Sequence, residues 1–138
     1  MLQIPFLSLC ILLFSTTSLS AQNSPEQIAD SFFVAYKNLG PSQAVDYLFS
    51  TNNYSSEKTK GIENIKDQFT EFSPSFGKYT GYELISSKNV GKDFVILTYI
   101  VKHDRLPLFF RLTFYKPSDK WKIQDFIFNT QMDKVLDK

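Results

Sequence analysis

The sequence predicts an α+β domain in which three N-terminal helices pack on a curved antiparallel sheet of about four strands. Three observations lead there. Apolar residues recur at helical spacing as far as Phe72, and beyond Pro74 the period becomes twofold. The twofold runs are rich in Val, Ile, Thr and aromatics, and short turn-rich connections separate them. Aromatic residues make up 16% of the 138-residue chain, which lets a domain of this size close a core by packing alone.

Each element has its own local signal. Ser24-Pro25-Glu26-Gln27 opens the first helix, with Ser24 as N-cap, Pro25 in the first helical position and Gln27 completing a capping box. Ile28, Phe32, Ala35 and Leu39 continue it, and Gly40-Pro41 stops it. Ser42 can cap a shorter second helix whose apolar face is Ala44, Val45, Leu48 and Phe49. Residues 50–61 are polar and read as a surface loop leading into a third helix with Ile62, Ile65 and Phe69, ended by Pro74. Residues 78–86, 93–103, 108–116 and 121–129 read as strands. Asn89 and Gly91, then Asp104 and Pro107, then Pro117 to Asp119 mark the turns, so the last three strands should form an antiparallel meander.

Residues 1–21 read as a signal peptide cleaved after Ser20 or Ala21, and 22–138 as a single domain. The apolar run Ile4 to Phe14 falls short of the roughly 20 residues a membrane span needs. No Lys or Arg precedes that run, so an uncleaved membrane tether is the competing reading. Cys10 follows the bulky Leu9 inside the run, which argues against lipidation, and leaves the cleaved chain without cysteine. The expectation is an exported protein, periplasmic or secreted, with no stable membrane insertion after cleavage. A net charge of +1 without a basic block argues against nucleic acid as a partner. One histidine and no cysteine after cleavage make a metal site improbable, and no phosphate loop or nucleophile motif implies a cofactor. His103, beside Asp104 at a strand end, reads as solvated.

Strict alternation assigns the strand faces. Pairing Val101 with Phe110, Tyr99 with Leu112 and Phe114 with Ile123 gives an inner face that also holds Trp121 and Ile127. With Tyr82, the residues Tyr99, Phe110, Leu112, Phe114 and Trp121 are the expected lining of any pocket. Phe109, Arg111, Tyr115, Phe126 and Phe128 fall on the outer face and are the candidate interface of a homodimer. The same rule sets Asp125 on the inner face, across Leu112 from Tyr99, where an ionised carboxylate is costly without partners. Either Asp125 is an inward group able to work as an acid–base pair with a tyrosine, or a bulge near Gln124 turns it out and brings Phe126 and Phe128 in.

The segments AYKNLGPSQAVDYLF, FGKYTGYELI and LFFRLTFYKPSDKWKIQDFIFN give the stretch from about Ser24 to Asn129 a layout that resembles the nuclear-transport-factor-2-like superfamily, exported bacterial members in particular. The resemblance implies a cone-shaped, cystatin-like roll that encloses a pocket. That superfamily includes isomerases, dehydratases and cyclases alongside non-enzymatic binding and dimerisation modules. Its enzymes place an Asp or His deep in the cone, and only Asp125 could match.

These features support a non-enzymatic, exported domain that binds a small apolar ligand or associates with itself. Two alternatives stand beside it: an isomerase- or dehydratase-like enzyme using Asp125 in the cone, and a protein–protein interaction module working through the outer sheet face.

Overall fold

The computed structural model describes residues 23–136; the expected signal peptide and its expected cleavage site lie outside the described residues. Helix α1 (Pro25–Leu39) begins at the expected capping box. The Ser24 hydroxyl accepts from the Gln27 N–H at 3.2 Å, and the Gln27 side chain accepts from the Ser24 N–H at 2.9 Å. Helix α2 (Pro41–Ser50) starts just before the expected Ser42 cap, because Gly40 at φ 97° turns the chain directly and Pro41 takes the first helical position. A 3₁₀ turn (Ser55–Lys58) leads into α3 (Thr59–Phe76). This helix runs through Pro74, correcting the expected stop there. The proline sits in the last turn, where its missing N–H removes a single backbone bond.

Four strands follow: β1 (Tyr79–Asn89), β2 (Phe94–His103), β3 (Leu108–Tyr115) and β4 (Lys122–Asn129). They form one antiparallel sheet in the order β1-β2-β3-β4, so the domain is α+β with the helices preceding the sheet. A one-turn helix, α4 (Asp133–Leu136), buries Val135 against the sheet, and the Val135 carbonyl accepts from Arg111 Nη1 at 3.3 Å. Among the described residues no helix is long and apolar enough to cross a membrane.

The β2–β3 register lies two residues from the expected one. Tyr99 faces Phe110 and Leu97 faces Leu112. The chain does not reverse straight after His103, because residues 104–106 first bind the end of α3. The Arg105 and Leu106 N–H groups both point to the Phe76 carbonyl, at 3.3 and 3.4 Å. A shift of two leaves every residue on its expected face. Gly77 makes this junction possible: its φ is +81°, and a Cβ there would overlap the Asp104 carboxylate and crowd the Arg105 backbone N–H.

The β3–β4 pairing answers the Asp125 question. Phe114 faces Ile123, but Thr113 faces Asp125, so Gln124 is the extra residue of a bulge. Asp125 is therefore on the outer face and exposed. Phe126 faces Leu112 and Phe128 faces Phe110, both inward. This corrects the assignment of Phe126 and Phe128 to the outer face, and moves Ile127, opposite Arg111, outward. The loop after α2 clamps the residue before the bulge. Thr51 Oγ1 accepts from the Ile123 N–H at 3.0 Å, and Asn52 Nδ2 donates to the Ile123 carbonyl at 2.9 Å. Both backbone groups of a sheet-edge residue are thereby satisfied.

Behind the bulge the interior is filled with rings. Phe110 is completely buried and lies within 6.2 Å, centroid to centroid, of Phe32, Phe33, Tyr36, Phe69, Phe126 and Phe128. Phe126 also meets Phe32 and Phe69 directly. Edge-to-face and offset contacts of this kind add to the hydrophobic gain from burial.

Candidate functional site

The sheet and α3 leave an apolar groove of about 290 Å³ beside this core. Phe69, Phe72 and Phe76 lie three and four residues apart, on adjacent positions of one α3 face. Phe69 is buried and stacks on Phe128 at 4.2 Å, which fixes the helix to β4. Phe72, one turn further, stays 48% exposed and forms one wall. Phe76 and the fully buried Leu108 contribute further apolar surface, with Phe128 on the β4 side. Gln68, Ser75, Asn129 and Thr130 complete the lining with amide and hydroxyl groups, and among the described residues no charged side chain takes part. The bulge at Gln124 is what puts Phe128 here, since strict alternation sends its ring to the other face.

Next to the groove is a polar joint. His103 Nε2 and the Tyr36 hydroxyl are 3.0 Å apart and share a hydrogen bond. Phe76 packs on the imidazole at 5.5 Å, so one ring of α3 borders both the groove and the joint. A cleft of about 150 Å³ opens here, lined by Tyr36, Pro41, Ser73, Phe76, Gly77, Tyr79 and His103. Burial lowers the His103 pKa below the ordinary histidine value; the Val101 carbonyl and Asp104 carboxylate favour the charged ring without reversing this. Nδ1 is buried and has no well-aligned partner among the described residues. Burial likewise pushes the Tyr36 phenol far above the usual tyrosine range, with Tyr79 adding to it. His103 is thus a half-buried joint residue and not the solvated turn residue expected. Asp104, just after β2, accepts from the Lys78 N–H just before β1.

A third depression, broad and about 690 Å³, lies between α1 and β1 and is lined in part by Phe33, Lys37, Lys78 and Tyr82. Tyr82 stacks on Phe33 at 3.9 Å and donates to Asp30 at 2.7 Å. Burial first, and then this carboxylate, push its phenol up to about 12.

Of the six residues expected to line a pocket, Tyr82 alone borders one of these clefts. Tyr99, Phe110, Leu112 and Phe114 are core residues, with at most 2% exposure. Trp121 is half-buried beside the hairpin, under the Lys116 ammonium at 5.1 Å. On the outer face, Tyr115 is exposed while Phe109 and Arg111 are half-buried, with the α4 carbonyl capping Arg111. Asp125 reaches neither the groove nor a tyrosine of the core, so the enzyme alternative loses the residue it needs. Among the described residues no group of three His, Cys, Asp or Glu side chains is arranged to hold a metal ion. The groove residues Phe72 and Phe128 were legible as aromatics, but their convergence depends on a bulge the alternation could not fix. No protein-family model, curated protein or solved structure matches this chain.

Proposed function

We propose that this chain is an exported, non-enzymatic domain, similar to the nuclear-transport-factor-2-like superfamily, that holds a small neutral apolar molecule in the groove between α3 and β4. The observation that carries the proposal is the composition of the groove among the described residues: three Phe rings and Leu108, with uncharged amides and hydroxyls around them. Ligand sites are mostly apolar clefts of roughly 300–1,000 Å³ with a few polar groups to orient the guest. At 290 Å³ this groove sits at the small end of that range. Its guest is one or two rings or a short chain, carrying one hydrogen-bonding group and no charge, because an ion would be desolvated with no counter-charge. The filled interior also supports placing the guest at this edge and not inside the sheet. Export rests on the apolar run at residues 4–14 and the Ser18–Ser20 cleavage pattern.

2-Naphthol is a suitable probe, neutral through the physiological range and with a single hydroxyl. Calorimetric titration should give saturable 1:1 binding to the wild type. Phe72→Ala removes an exposed wall and should weaken that binding about tenfold, or about 1.4 kcal/mol. Its folding stability should stay within about 1 kcal/mol of wild type, because the ring is half-exposed. Equal affinity in both proteins would show that the probe binds elsewhere.

A further inference from the structure

The polar joint beside the groove has no part in holding a neutral guest, yet its placement is specific. His103 closes the end of β2, where the C-terminus of α3, the start of β1 and the last turn of α1 all meet. From α1 the Tyr36 hydroxyl bonds to it. From α3 the Phe76 ring packs on it, and the Ser73 side chain lines the same cleft. From β1 Tyr79 lies edge-on at 6.0 Å, and α2 contributes the uncharged Pro41 to the cleft. The charged residues of the surrounding turns are Lys78, Asp104 and Arg105, while Lys102 on the same strand is paired with Glu83 at 3.4 Å. Asp104 is held by the Lys78 N–H, and among the described residues no carboxylate forms an ion pair with the imidazole.

We infer that His103 is a proton-operated latch on the groove: its neutral form joins α1 to β2 and supports Phe76, and its protonated form releases that support. The inference rests on the proposed role of the groove in ligand binding. The neutral ring can accept the Tyr36 hydroxyl proton at Nε2. Accepting there leaves the neutral ring's own proton on Nδ1, so the added proton goes to Nε2, which can then no longer accept from the Tyr36 hydroxyl. A charge in this half-buried place, which the Val101 carbonyl and the Asp104 carboxylate offset only in part, draws the ring toward water, away from the aromatic contacts it makes with Phe76 and Tyr79. Phe76 has its other side in the groove, so the guest is held near neutral pH and let go in acid.

The lowered His103 pKa gives the sign and the window. Between the folded value and the unfolded one, about 6.5, the unfolded chain binds more protons. The stabilisation is therefore complete above about pH 6.5 and is lost as the pH falls toward the folded pKa.

His103 is the one histidine in the chain, so in the untagged protein its ring carbon–proton resonances need no assignment. A titration from pH 8 to 4.5 by NMR, with the phenylalanine rings labelled, should give a His103 midpoint below 6.5. The Phe76 and Phe128 resonances should move with that same midpoint. 2-Naphthol affinity should fall several-fold between pH 7.5 and 5.0 in wild type and stay flat in His103→Gln. A titrating His103 with stationary Phe76 and Phe128 signals would overturn the latch, as would an unchanged pH dependence in His103→Gln. Absence of naphthol binding at every pH would instead remove the groove reading, and the phenylalanine titration would still decide the latch by itself.

Discussion

Phe110→Ala should lower the unfolding free energy by about 3–5 kcal/mol, the range for a fully buried phenylalanine. Phe110 is the common neighbour of the ring cluster. It touches aromatics from α1, α3 and β4 while sitting on β3, so its removal opens a void that three separate elements border. Two of those elements are tied elsewhere in the fold, α1 to β2 by Tyr36–His103 and β4 to the loop after α2 by Asn52–Ile123, which limits how far they can collapse into the void. Small domains are stable by about 5–15 kcal/mol in total, so the variant should lose a large part of its margin. Urea denaturation at pH 7.5 reads the effect directly. A loss below about 1 kcal/mol would mean that the cluster is looser than the ring distances indicate.

The second large effect is a contrast between neighbours. Phe126→Ala should cost about 3–5 kcal/mol, while Asp125→Ala should change stability by no more than about 0.5 kcal/mol. Phe126 is 4% exposed and lies between Phe32, Phe69 and Phe110, whereas Asp125 is exposed, and its side chain has no hydrogen bond or ion pair among the described residues. The opposite ranking follows from a strand without the bulge, in which Asp125 is inward and Phe126 is outward. Deleting Gln124 supplies a further check from the same geometry. Without that residue, Ile123, Phe126 and Phe128 alternate inward without interruption, so the deletion should be tolerated better than Phe126→Ala. The same urea series measures all three.

Much of the fold could be read in one dimension, for identifiable reasons. The Ser24 capping box, the Gly40-Pro41 junction and the change of period after Pro74 are local signals, and each element they predict is present. What the sequence left open involves residues far apart in the chain. The bulge at Gln124 is matched by Thr51 and Asn52, more than seventy residues earlier in a loop that reads only as polar surface. Asn52 is nonetheless buried, as an amide that closes two backbone groups must be. His103 looks like a solvated turn residue because its partners Tyr36, Phe76 and Tyr79 come from three other elements. The groove was hidden for the same reason. Core-filling and groove-lining rings have the same spacing in sequence, and only the bulge decides on which side Phe128 falls. Two core-quality rings one step out of phase with the preceding strand were the available sign of it.

The central claim is that a neutral apolar guest sits between α3 and β4. The most direct measurement is an NMR titration of the labelled domain with 2-naphthol at pH 7.5, following backbone amides and phenylalanine rings together. The account predicts saturable shifts confined to Gln68, Phe72, Ser75, Phe76, Leu108 and Phe128 to Thr130, with Tyr115 and the rest of the outer sheet face unmoved. Saturable shifts centred on Tyr82 and Lys37, or on the outer face, would contradict it, as would shifts that never saturate.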